Sequence, residues 1–214
     1  MVACERCPRL IAHCREVARV RVRRFRDQTY WGRPVPAFGD PQATVLVVGL
    51  APAAHGANRT GRMFTGDDSG AWLYRALHEA GFATQPTSTH VGDGLALRGA
   101  YITASARCAP PDNKPTPAEL AACRSYLVRE LALLRRVKVI LALGAIAWDS
   151  VLAALAETGL VLRPKPRFGH GAEVRLDARR VLVGSYHPSR QNTQTGKLTR
   201  EMLASVMARV RELA

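Results

Sequence analysis

Four apolar runs of strand length, each followed by a segment with helical signals, constrain this chain more than any other feature. They occupy residues 44–50 (TVLVVGL), 100–104 (AYITA), 137–144 (VKVILALG) and 180–185 (RVLVGS). Short, continuous apolar runs suit strands covered on both faces rather than the alternating pattern of a half-solvated sheet. After the first run, Ser69 is the expected N-cap of an amphipathic helix to Ala80, with Trp72, Leu73, Ala76 and Leu77 inward and Gly81 as the stop. After the second, Thr116-Pro117-Ala118-Glu119 spells a capping box with proline at the first helical position, opening a helix to about residue 135. Helical patterns over 145–158 and 199–213 follow the third and fourth runs. This alternation implies an α/β fold: a single domain over 1–214 with a four-stranded parallel sheet flanked by helices. Residues 8–26 read as a basic, helix-like stretch, 31–41 as a Gly/Pro-punctuated connection, and 161–176 as less regular.

The chain has 214 residues, 47% of them hydrophobic, enough for a sizeable core and against general disorder. No run reaches the roughly 18 apolar residues of a membrane span. The start, MVACERCPRL, carries charges and cysteines where a signal peptide needs an apolar segment, so a cytoplasmic location is expected. Lys and Arg number 31 against 17 Asp and Glu, a net charge of +14. Such a charge is either a merely soluble basic surface or an attractor for a polyanion, of which nucleic acid is the commonest.

Five cysteines, an odd number in a chain expected to stay in a reducing compartment, argue against a disulfide framework. Cys4 and Cys7 form a C-x2-C pair, and Cys108 and Cys123 lie far downstream. Four-cysteine zinc usually shows two tight pairs, whereas iron–sulfur clusters accept looser spacing; a third reading makes all four small buried hydrophobes. Cys14 repeats with Leu10 and Val17 at helical spacing and is assigned to packing.

Ligands of parallel sheets bind beyond the carboxyl ends of the strands. After the first strand comes GLAPAAHGANRTGRMFTGDDSG (49–70), rich in small residues that let backbone approach a ligand, with Phe64 offering a stacking face. It lacks the G-x-x-x-x-G-K-[ST] pattern, and no carboxylate cluster suggests a catalytic metal, so a phosphate-handling enzyme is disfavoured. After the second comes ASARCAPPDNKP (104–115), a stiff proline turn that would hold Asn113. After the fourth comes SYHPSRQNTQTG (185–196), with His187 at the root of a polar loop. A neutral imidazole there can donate a hydrogen bond to charge developing on a ligand, or simply cap the strand. Asp68 suits a helix N-terminus, where the macrodipole favours a carboxylate.

The 49–70 loop, the CAPPDNKPTP segment, SYHPSRQNTQTGKLT and the four cysteines together resemble the uracil-DNA glycosylase superfamily, and within it the iron–sulfur family 5, or type B, enzymes. The resemblance spans nearly the whole chain. It implies a DNA repair glycosylase that flips a damaged base out of double-stranded DNA and hydrolyses its N-glycosidic bond. It implies a structural 4Fe-4S cluster on Cys4, Cys7, Cys108 and Cys123 that ties the N-terminal segment to the domain, with no divalent metal required. By the same carry-over Phe64 stacks on the base in a pocket with Gly49, Ala51, Ala104 and Asn113. His187 stabilises the departing base, and Asp67 orients water or stabilises the cationic sugar, with His55 as runner-up. Asn58, Arg59, Ser189, Arg190, Gln191, Asn192 and Lys197 are the expected DNA contacts.

Two departures from the family pattern carry weight. Ala53-Ala54 stand where other members place a polar water-positioning residue, so water activation must come from elsewhere. Ala104 stands where narrow-specificity relatives place an asparagine, which implies a range covering uracil, hypoxanthine and thymine mispaired with guanine. A monomer acting in the cytoplasm on nucleoid DNA is expected. The competing reading is a non-catalytic iron–sulfur protein that binds damaged or mispaired DNA.

Overall fold

In the computed structural model, which describes residues 1–214, all four apolar runs are strands. In chain order the strands are β1 (Phe38–Gly39), β2 (Val45–Gly49), β3 (Ala100–Ala104), β4 (Val139–Leu143), β5 (Glu173–Arg175) and β6 (Val181–Ser185). The helices are α1 (Pro8–Val20), α2 (Ala57–Thr60), α3 (Asp68–Glu79), α4 (Pro117–Leu133), α5 (Ala145–Glu157), α6 (Arg190–Gln194) and α7 (Arg200–Leu213). The sheet order is β1-β3-β2-β4-β6-β5. The four expected strands form its parallel centre, and β1 and β5 add antiparallel edges. The sheet is therefore six-stranded and mixed, not four-stranded. Its extra strands are two and three residues long and only partly buried, too short to leave an apolar signature.

Alternate residues of the central strands feed two cores. Val45, Val47, Leu141 and Val183 pack with α3 and α7, while Leu46, Val48, Ile140 and Leu182 pack with α4 and α5. Both faces are covered, which is why these strands read as unbroken apolar runs. The capping box forms as spelled: Thr116 Oγ1 accepts from the Glu119 N–H at 3.2 Å, and Glu119 Oε2 accepts from the Thr116 N–H at 2.7 Å. The start of α3 differs from expectation. Asp67, not Ser69, is the N-cap, its Oδ1 accepting from Gly70 N at 2.8 Å. The basic stretch 8–26 also divides: α1 ends where Arg21 takes a left-handed φ of 56°, and a 3-10 turn, Arg23–Phe25, follows.

Candidate active site and cysteine cavity

The carboxyl ends of β2, β3 and β6 meet at one end of the sheet. Gly49 pairs with Ala104 in register, and the Ser105 N–H donates to Gly49 O at 2.9 Å, fixing the first two strand ends together. Phe64 holds a left-handed φ of 52°, a strained conformation for a bulky residue. Two glycines make room for it. A Cβ on Gly49 would lie 2.7 Å from Phe64 Cζ, and one on Gly70 would collide with Phe64 O. Across the cleft His187 faces Phe64, ring centroids 5.9 Å apart and planes 30° apart. Burial pushes the His187 pKa down to about 4, so its imidazole is neutral at physiological pH. Its carbonyl accepts from Asn192 Nδ2 at 2.8 Å, which ties the histidine to the loop that follows β6.

Asp67 sits where the 49–70 loop enters α3. Burial is the main influence on its pKa and pushes it up, against the opposing hydrogen bond from Gly70 N. A side chain on Gly56 would strike Asp67 Oδ2, so that glycine reserves space for the carboxylate. His55 Nδ1 lies 3.1 Å from Tyr30 Oη, and burial, with Arg59 next, lowers its pKa.

The loop after β6 is more ordered than its composition suggests. Ser189 caps α6, a short helix made of the expected DNA-contact residues Arg190, Gln191 and Asn192. Arg190 pairs with exposed Asp68 at 3.0 Å, joining this helix to the start of α3. Lys197 is exposed, its Nζ 5.1 Å from the Tyr186 ring centroid. Asn113 is exposed on the turn after Pro110, and Ala51 lies half-buried just beyond β2.

Two expected DNA contacts are instead internal. Asn58 is fully buried and its Nδ2 donates to Cys14 O and Ala54 O. Arg59 is 9% exposed and donates to His55 O, Gln28 Oε1 and Gly66 O. Its guanidinium also lies 3.9 Å from the centroid of the Phe25 ring, whose environment includes the Arg24 guanidinium at 4.3 Å. Two of these bonds brace the loop itself and one reaches Gln28, so Arg59 positions structure rather than offering a free charge. Sequence reasoning missed the consequence: Arg24, Phe25, Gln28 and His90 join Asp67 around a cleft of about 570 Å³. The available signal was an aromatic residue set among arginines in RVRRFRD.

A second cavity lies beside the first site. Cys4, Cys7, Cys108 and Cys123 all line it, together with Arg6, Arg107 and Tyr126. Residues from the N-terminal segment, the loop after β3 and α4 are thus brought together although they are far apart in sequence. Cys14 is fully buried with Leu10 and Ile11, a packing position, and its thiol lies 3.6 Å from Ala109 O. No group of three or more His, Cys, Asp or Glu side chains is arranged to hold a single metal ion.

Comparison with known proteins agrees with this architecture. The model of the uracil DNA glycosylase superfamily matches residues 36–211. The chain belongs to that superfamily. It is 55% identical over its full length to the type-5 uracil-DNA glycosylase of Thermus thermophilus, covering 95% of that protein. It is 50% identical to the type-5 enzyme of Mycobacterium tuberculosis, over 99% of this chain and 78% of the other. It is 47% identical to that of Pyrobaculum aerophilum, over 98% and 88%. The superfamily match covers β1 to α7, and the match to the Thermus relative, which spans the whole chain, also takes in the N-terminal segment that carries Cys4 and Cys7.

Proposed function

We propose that this superfamily member hydrolyses the N-glycosidic bond of uracil in double-stranded DNA, and of hypoxanthine and guanine-mispaired thymine. The observation that carries this reading is the neutral His187 imidazole facing Phe64 at the strand ends. A flipped base stacked on Phe64 would present its carbonyl edge to His187. Bond breakage places negative charge on the departing base, and a neutral imidazole can donate its N–H to that charge. The Asp67 carboxylate would meet the positive charge developing on the sugar, or orient the attacking water through Oδ2, since Oδ1 is engaged by Gly70 N. His55, held by Tyr30, is the second candidate for water. The departed base takes a proton from solvent and water closes the sugar as an abasic site.

The broad substrate range rests on what the pocket lacks. Gly49 and Ala104 end their strands without a polar side chain, so no fixed donor and acceptor pair rejects a base by being left unsatisfied. Weak pairing then contributes to selection, since flipping costs a few kcal/mol and least for mispaired bases. The α6 residues and Lys197 would contact the opened duplex. The protein would act as a monomer on nucleoid DNA, without a divalent metal.

The four cysteines fit a cubane iron–sulfur cluster. Four cysteines lining one cavity supply the four thiolates that such a cluster needs. When bound, such a cluster would act as a structural staple between the N-terminal segment, the loop after β3 and α4.

Substrate profiling tests the proposal. Duplexes carrying uracil, hypoxanthine or thymine opposite guanine should all release free base in EDTA and leave an alkali-labile abasic site. Activity confined to uracil at every pairing would overturn the broad range, and binding without base release would leave a DNA-binding protein.

A further inference from the structure

Arg107 is the one guanidinium in the chain with buried nitrogen atoms left over. It is 2% exposed, and Nε and Nη1 have no hydrogen-bond partner within the protein. Leaving a buried charged donor unsatisfied is costly, so native interiors rarely do it without a partner. The third nitrogen, Nη2, donates to Glu130 Oε1. The other Glu130 oxygen accepts from Thr103 Oγ1 at 2.7 Å, so the carboxylate is held from both sides. Arg107 lines the cavity formed by Cys4, Cys7, Cys108 and Cys123.

We propose that Arg107 is a positioning residue for the anionic group held by these cysteines, with Nε and Nη1 as hydrogen-bond donors to its sulfurs. This inference rests on the iron–sulfur reading above and goes beyond it by assigning the guanidinium a role that none of the four ligands supplies. Four thiolates around a cubane core carry net negative charge, and donors aimed at the sulfurs tune its potential and hold it in place. Glu130 largely balances the Arg107 charge, so the contribution of Arg107 is directional hydrogen bonding. Arg6, exposed and 3.4 Å from Cys4 Sγ, supplies the uncompensated cation on the outer side. Thr103 immediately precedes Ala104, so Thr103, Glu130 and Arg107 form a continuous bonded path from the end of β3 to the cysteine cavity.

The test uses holoprotein prepared without oxygen, with iron and sulfide content, reduction potential and the rate of cluster loss to a chelator as readouts. Removing Arg107 alone would strand Glu130 as a buried charge and endanger folding. The informative variant is therefore the pair Arg107→Met with Glu130→Met, beside Glu130→Gln, which keeps the donors but loosens their orientation. The double variant should keep its helical circular dichroism, lose iron to the chelator about tenfold faster or more, and show a lower reduction potential. Glu130→Gln should lose iron at an intermediate rate, with a potential at or above that of wild type because the Arg107 charge is then uncompensated. An iron-loaded wild type with both variants matching its potential and loss rate would overturn the role of Arg107 and leave the cluster reading standing. A wild type without iron would overturn both.

Discussion

The two neighbouring sites are built on opposite plans. At the strand ends the protein supplies its own scaffold: Gly49, Gly56 and Gly70 clear space for Phe64 and Asp67, and Asn192 and Gly70 N hold His187 and Asp67 by hydrogen bonds. The cysteine cavity is lined by four cysteines and by Arg107, two of whose guanidinium nitrogens have no partner within the protein. The difference separates a site whose chemistry is carried by protein side chains from one completed by a bound group. It also predicts different failures: the first should lose rate with little loss of structure, the second should lose structure.

The largest expected effect is at His187. His187→Ala should lower single-turnover base release by about 100- to 1000-fold, the usual cost of removing one such donor. The variant should also alter the pH dependence of stability. A half-buried histidine with a pKa near 4 rather than 6.5 contributes stability that is complete above pH 6.5 and is lost as pH falls toward 4. Thermal melts of His187→Ala should therefore fall less steeply than wild type across that interval.

Asp67→Asn sharpens the contrast from the other side. Asparagine retains the helix cap, but it removes a charge whose burial raises the pKa above the ordinary 3.8. Because burial raises the folded pKa, the cost of the charge is fully present above that pKa and is relieved as pH falls through it toward the ordinary carboxylate value. The variant should lose about 100-fold in rate while its Tm at neutral pH rises. A fall in Tm would contradict the claim that this carboxylate is held at a cost to stability.

Cysteine substitutions divide the second region. Cys123→Ser should lose iron and melt lower, whereas Cys14→Ala should keep its iron and lose only packing, about 1 kcal/mol in denaturant unfolding. Equal iron loss in both would erase the distinction between lining and packing cysteines. The smallest effect is at the surface. Lys197→Ala should reduce the slope of log K against log salt by about 0.9, while Arg59→Ala should act mainly on stability because its donors are used internally.

What was legible in the sequence follows the same division between local and distant causes. The central strands and the Thr116 capping box depend on residues a few positions apart, and both form as the sequence spells them. Asp67 and Ser69 are equally good cap residues. The choice between them turns on Gly70 lying against Phe64 O, a contact that sequence cannot display. Arg59 looked like a phosphate contact because its partners, Phe25 and Gln28, arrive from a segment that read as the end of a helix. The meeting of Cys108 and Cys123 with the N-terminal pair was legible only through family resemblance. Spacing favoured a cluster over zinc and left simple burial open.

Single-turnover base release from one uracil-containing duplex in EDTA, comparing wild type with His187→Ala and Asp67→Asn, tests the central claim most directly. Wild type should release base without metal, each variant should fall by about 100-fold or more, and iron content should be the same in all three. Release that survives both substitutions, or that falls only in proportion to lost iron, would show that the chemistry does not reside at the strand ends.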